Sequence, residues 1–200
     1  MKTTTALATT LLACFGLFAQ GTYNLDNSPL STQGTVDARI FDYNGTTPLA
    51  GTNFFAQLFI GTVSNAASLI PQGVIARFYP FGNGAGGYLN PSGTTIRATN
   101  IAPGALGFVQ LRAWTGAATY LEAVNTPGAR IGMSSILNLV AGGFGAPPSL
   151  PANLVGLQSF SLVGPLYQPP DQFGNTPEPS TLVLGILGGI VLLSKRYKIS

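Results

Sequence analysis

Phe108-Val109-Gln110-Leu111-Arg112-Ala113-Trp114 is the stretch that decides the fold of this 200-residue chain. Val109, Leu111 and Ala113 alternate with Gln110 and Arg112, and Trp114 closes the run. Successive side chains of a strand point to opposite faces, so this period of two predicts a strand with one face on a core.

The same pattern recurs on both sides. Thr35–Phe41 sets Val36, Ala38 and Ile40 against Asp37 and Arg39. Phe54–Ile60 puts Phe54, Ala56, Leu58 and Ile60 on one side. Shorter strands are predicted at Val74–Tyr79, Thr94–Ala98 and Tyr120–Val124, and further ones at Ser134–Val140 and Leu157–Val163. Turn sequences separate them: Asn44-Gly45, Pro71-Gln72-Gly73, Asn83-Gly84, Pro91-Ser92-Gly93, Pro103-Gly104 and Pro127-Gly128. Glycine or proline interrupts the middle of the chain about every ten residues, which leaves no room for a long helix. About eight strands at this spacing predict an all-β fold, an antiparallel β-sandwich of immunoglobulin-like or jelly-roll topology. The sandwich domain is expected over residues 22–163, with Ala141–Asn153 as a long Gly/Pro loop.

Composition narrows the function. Charged residues are 8% of the chain, against about 25% in soluble domains. Between residues 22 and 176 the acids are Asp26, Asp37, Asp42, Glu122 and Asp171, and the bases Arg39, Arg77, Arg97, Arg112 and Arg130, so the charges cancel. The net charge of +3 belongs to the two ends. A neutral, lysine-free domain without clustered arginines disfavours nucleic acid as a partner. The chain has no histidine, which removes Ser-His-Asp catalysis and imidazole metal ligation. Asp37 and Asp42 straddle the end of the first strand. They are read as solvated or arginine-paired, with a shared Ca²⁺ as the alternative. No enzyme activity, metal or cofactor is expected. Gly82–Gly87 lacks the Lys-Ser/Thr of a phosphate loop and is read as a hairpin loop. Tyr79, Tyr88 and Trp114 are candidate glycan contacts through ring stacking; packing inside the core is the competing reading.

The ends read as addresses. Lys2 precedes the mostly apolar run Ala6–Ala19, and Ala19-Gln20-Gly21 supplies small residues where signal peptidase cuts. Residues 1–21 are therefore an expected signal peptide with an apolar helix, cleaved after Ala19 or Gly21. Leu11-Leu12-Ala13-Cys14 is a weak lipoprotein box, the alternative at this end. Gly164–Thr176 is a Pro-rich linker, expected to be extended.

At the C-terminus, Pro177-Glu178-Pro179 precedes the apolar run 181–194, and Lys195, Arg196 and Lys198 follow. As a helix, Leu182–Leu193 is about 18 Å long, short of the roughly 30 Å hydrocarbon core. It suits transient insertion, with the three cations held at the cytoplasmic side. The order over residues 177–200 resembles the PEP-CTERM sorting signal of Gram-negative bacteria. The resemblance implies recognition by an exosortase after signal peptidase has acted. It also implies passage through the inner membrane and delivery to the cell surface or the extracellular polysaccharide matrix. An uncut C-terminal membrane anchor is the alternative. Leu49–Asn53, Gln57-Leu58 and Val109–Trp114 are also similar to stretches of small exoproteins bearing that signal, a group that implies no active site. The expectation is a structural or adhesive surface protein, with a carbohydrate-binding module as the alternative.

Overall fold

In the computed structural model the residues described are 20–29, 36–80, 82, 84–91, 93–144 and 147–164. Both expected terminal helices lie outside them. So do the sorting motif Pro177, Glu178 and Pro179, the basic stop Lys195, Arg196 and Lys198, and Ala19 of the cleavage site.

The strands are β1 (Gly21–Leu25), β2 (Ile40–Phe41), β3 (Phe54–Gly61), β4 (Ile70–Phe78), β5 (Leu89–Asn90), β6 (Thr94–Ala98), β7 (Leu106–Thr115), β8 (Ile131–Met133), β9 (Leu137–Val140) and β10 (Phe160–Ser161). The main sheet runs β5-β4-β3-β7-β8, and β9 also pairs with β7, every pair antiparallel. β1 and β6 form a small antiparallel sheet. β2 and β10 pair in parallel, which corrects the expectation of purely antiparallel pairing.

The central stretch behaves as its alternation predicts. Val109, Leu111 and Ala113 join Ala56, Leu58 and Ile60 of β3 in the main core. Tyr23 and Leu25 of β1, Ile96 and Ala98 of β6 and Val36, Ala38 and Ile40 close over the same core. The register of β3 and β4 shifts between Ala56 and Leu58, and such a bulge bends and twists a strand. Gly73 sits at the bend with φ +67°, where a Cβ would come within 2.5 Å of Ile96 Cδ1. Only glycine lets β6 pack this close.

The opposite face of β7 is covered too. Trp114 is fully buried with Phe59, Leu69, Tyr120, Ala123, Ala129 and Ile131 in a second cluster. The cover includes a short helix, α1 (Tyr120–Val124), where a strand was expected. Its cause is local. Thr119 Oγ1 accepts from the Glu122 amide at 3.3 Å, and Glu122 Oε2 accepts from the Thr119 amide at 3.1 Å. This capping box satisfies two amides that a helix start leaves open.

Three other strands are shorter than expected. The predicted Ser134–Val140 strand is interrupted. Ser134 Oγ, rather than a ladder carbonyl, takes the Leu111 amide at 3.1 Å, and β8 and β9 pair with β7 on either side of the break. Only Ile40–Phe41 and Phe160–Ser161 of the outermost runs form ladder pairs. Residues 36–39 are held by a buried side chain instead. Asn27 Nδ2 donates to the Ala38 and Gly87 carbonyls at 2.8 and 2.9 Å, and its Oδ1 accepts from the Leu89 amide at 3.0 Å.

Candidate functional site

β1 and β6 form the floor of a groove. Their register sets Thr22 opposite Arg97 and Asn24 opposite Thr95. Tyr23, Leu25, Ile96 and Ala98 are spent on the core, so the alternate residues Thr22, Thr95 and Arg97 fall on the outer face. Gln20, just before β1, extends that face.

The wall is the loop after β9. Gly142 exchanges amide bonds with Thr22, at 2.8 and 3.1 Å, and the Ala152 amide donates to the Thr22 carbonyl at 3.0 Å. Between these anchors Gly143 and Ser149 bond each other in both directions at 3.0 Å, closing a hairpin. A side chain at Gly142 would run into the Leu150 backbone, so two glycines make the tight entry. The hairpin lifts Phe144 and Leu150 into solvent, 83% and 80% exposed. With Pro148 and Pro151 they face the polar floor across a groove of about 360 Å³. That volume lies in the range of small-ligand sites, about 300–1,000 Å³. Arg97 is exposed, and no hydrogen bond or ion pair engages it among the described residues. Thr22 Oγ1 is shielded from water and has no hydrogen-bond partner among the described residues.

The glycan contacts expected from sequence are elsewhere. Trp114 has no exposed surface. Its Nε1 donates to the Ala117 carbonyl at 3.1 Å, Phe55 stacks on it at 5.9 Å, and Tyr120 meets it edge-on. Tyr88 is 2% exposed. It donates to Asp37 Oδ1 at 2.6 Å and accepts from Arg39 Nε at 3.0 Å. Burial, then the bond to Asp37, pushes its hydroxyl pKa up. Tyr79 is half-buried and joined to Tyr88 through the backbone. Trp114 and Tyr88 offer a sugar no open ring face, so these three residues do not make an exposed platform. Among the described residues Phe144 is the most exposed ring, ahead of Tyr43, in a Gly-Gly-Phe-Gly loop where no alternation could absorb it.

The charged groups are mostly architectural. Arg130 holds both oxygens of Asp42, at 2.8 and 2.7 Å, and lies over the Tyr43 ring. Asp37 belongs to Tyr88, so the two aspartates have separate partners. Asp26 accepts from the Ser28 amide at 2.9 Å, and Glu122 caps α1. Arg112 is clamped over Phe59 and Tyr120, its guanidinium carbon 4.0 and 5.0 Å from their centres, and burial lowers its pKa. Among the described residues no group of three His, Cys, Asp or Glu side chains forms a metal-ligand cluster. Gly21 is the first residue of β1, buried, its amide donating to the Ile101 carbonyl at 2.6 Å.

Searches against protein-family models, curated proteins and solved structures find no match to the chain.

Proposed function

We propose that the chain is an exported, non-enzymatic protein of the cell surface or extracellular polysaccharide matrix, built on a two-layered β-sandwich and sorted by its C-terminus. The observation that carries this is the order of Pro177-Glu178-Pro179, the apolar run 181–194 and the cations Lys195, Arg196 and Lys198. The proline-flanked glutamate would be presented to an exosortase, and the short apolar helix and its cations would hold the chain in the inner membrane during processing. Signal peptidase would act first. A cut after Ala19 keeps β1 whole, whereas one after Gly21 removes its first pair and the bond to Ile101. The use of Asp26, Asp37, Asp42 and Glu122 in local architecture supports a structural rather than a chemical role.

In the native host, Glu178→Ala and a neutral variant of Lys195, Arg196 and Lys198 should accumulate unprocessed in the membrane fraction. Normal processing and surface delivery of both would sink the sorting reading. If the tail anchors the chain uncut, the mass of the surface protein will still include residues 177–200. The groove beside Arg97 favours a second reading, carbohydrate binding, at different residues from those first expected.

A further inference from the structure

We propose that the groove between the β1–β6 face and the wall of Phe144, Pro148, Leu150 and Pro151 binds a carboxylated polysaccharide, one containing uronic-acid residues. This deepens the carbohydrate-binding reading and does not depend on sorting.

Three features select the ligand. Arg97 is an exposed cation in the groove with no anion beside it among the described residues. A guanidinium binds a carboxylate with two parallel hydrogen bonds, which are charge-assisted and directional. Phe144 stands 83% exposed on the facing wall. An aromatic face in solvent offers a stacking surface for the apolar face of a sugar ring, and Leu150 and Pro148 extend it. The floor offers the Thr95 hydroxyl and the amide of Gln20, groups that donate and accept as sugar hydroxyls do.

The same geometry argues against a peptide added as a strand. β1 is paired with β6 on one side and bonded to Gly142 and Ala152 on the other. The floor therefore presents side chains, not the free amides that strand addition uses. A nucleic acid is disfavoured because one arginine cannot neutralise a run of phosphates.

The test uses the full-length chain in mild non-ionic detergent, titrated with polygalacturonate and alginate oligosaccharides and, as neutral controls, dextran and cello-oligosaccharides. The acidic sugars should bind, more weakly as salt rises, and the neutral ones should not. Arg97→Gln should weaken binding about tenfold, the scale of one charged hydrogen bond. Phe144→Ala should weaken it by a similar factor, about that of a lost stacking contact. Leu121→Ser, on the exposed side of α1, should change nothing. Both groove residues are exposed, so unchanged melting will separate lost binding from lost folding. Failure to bind acidic sugars, equal binding of neutral ones, or binding indifferent to both groove variants would overturn the proposal. So would preference for a proline-rich peptide over the sugars. Because the chain is assayed whole in vitro, a negative result here leaves the processing experiments in the host to stand or fall separately.

Discussion

Tyr23→Phe should make this protein more stable, and increasingly so in alkali. The Tyr23 ring is fully buried, and its hydroxyl has no hydrogen-bond partner among the described residues. It lies against Gly107, where a Cβ would collide with the hydroxyl oxygen. An unsatisfied buried hydroxyl costs about 1–3 kcal/mol. Deleting it leaves a void of one oxygen atom, a loss of a few tenths at about 24 cal/mol per Å³. The expected net gain at neutral pH is therefore about 1 kcal/mol. Burial also pushes the Tyr23 pKa up from 10.0 to about 12. Folding then favours the neutral phenol. That contribution is complete below pH 10 and is lost as pH rises towards 12. Linkage predicts a further advantage for the variant of about 1.4 kcal/mol at pH 11. Tyr88 and Tyr120 also titrate late because of burial, but both proteins share them, so they largely cancel in the difference. The assay is urea unfolding at several pH values, followed by Trp114, the one tryptophan and a fully buried reporter. A variant less stable at neutral pH would mean that the hydroxyl is satisfied. A stability difference independent of pH from 9 to 11 would refute the burial argument.

Two further outcomes follow from buried and capping polar groups. Asn27→Ala removes three hydrogen bonds and strips the Ala38 carbonyl and the Leu89 amide of this partner, while the Gly87 carbonyl keeps the Ile40 amide at 3.1 Å. At about 1–3 kcal/mol for each of the two unsatisfied groups, the chain should lose at least about 2 kcal/mol or fail to fold, and a loss under about 1 kcal/mol in urea unfolding would contradict the clamp. Thr119→Ala opens the capping box of α1 and should cost about 1 kcal/mol, a fall of about 2–4 °C in melting temperature for a domain of this size; an unchanged melt would mean that α1 does not depend on its cap.

Much of the strand content was legible because alternation is a local property. Phe54–Ile60 and the central run through Trp114 are strands with the expected faces turned inward, and Thr94–Ala98 is a strand as expected. Tyr120–Val124 was misread although its signal was local as well. Thr119-Tyr120-Leu121-Glu122 has capping-box spacing, and the apolar residues behind it suit either a strand or one turn of helix. β1 was hidden at the border of the expected signal peptide. It is a strand because Gly142, Ala152 and Ala98, far away in sequence, pair with it.

Composition and order alone determined that the middle of the chain is β-rich and nearly neutral and that histidine chemistry is excluded, and the proposal of export rests on the order of residues at its two ends. Those inferences rest on residue type and near-neighbour spacing, which need no folded partner. Tertiary structure decided which aromatic rings are open. Trp114 and Tyr88 look like ligand contacts in sequence, yet a second packed cluster covers Trp114 and Tyr88 is buried against Asp37 and Arg39, while Phe144, in what reads as a featureless loop, is lifted clear by the Gly143–Ser149 hairpin. It also decided that Thr22, Thr95 and Arg97 share one floor, since strand pairing brings together residues separated by more than seventy positions. The groove floor is made by that long-range pairing, and no local pattern encodes it.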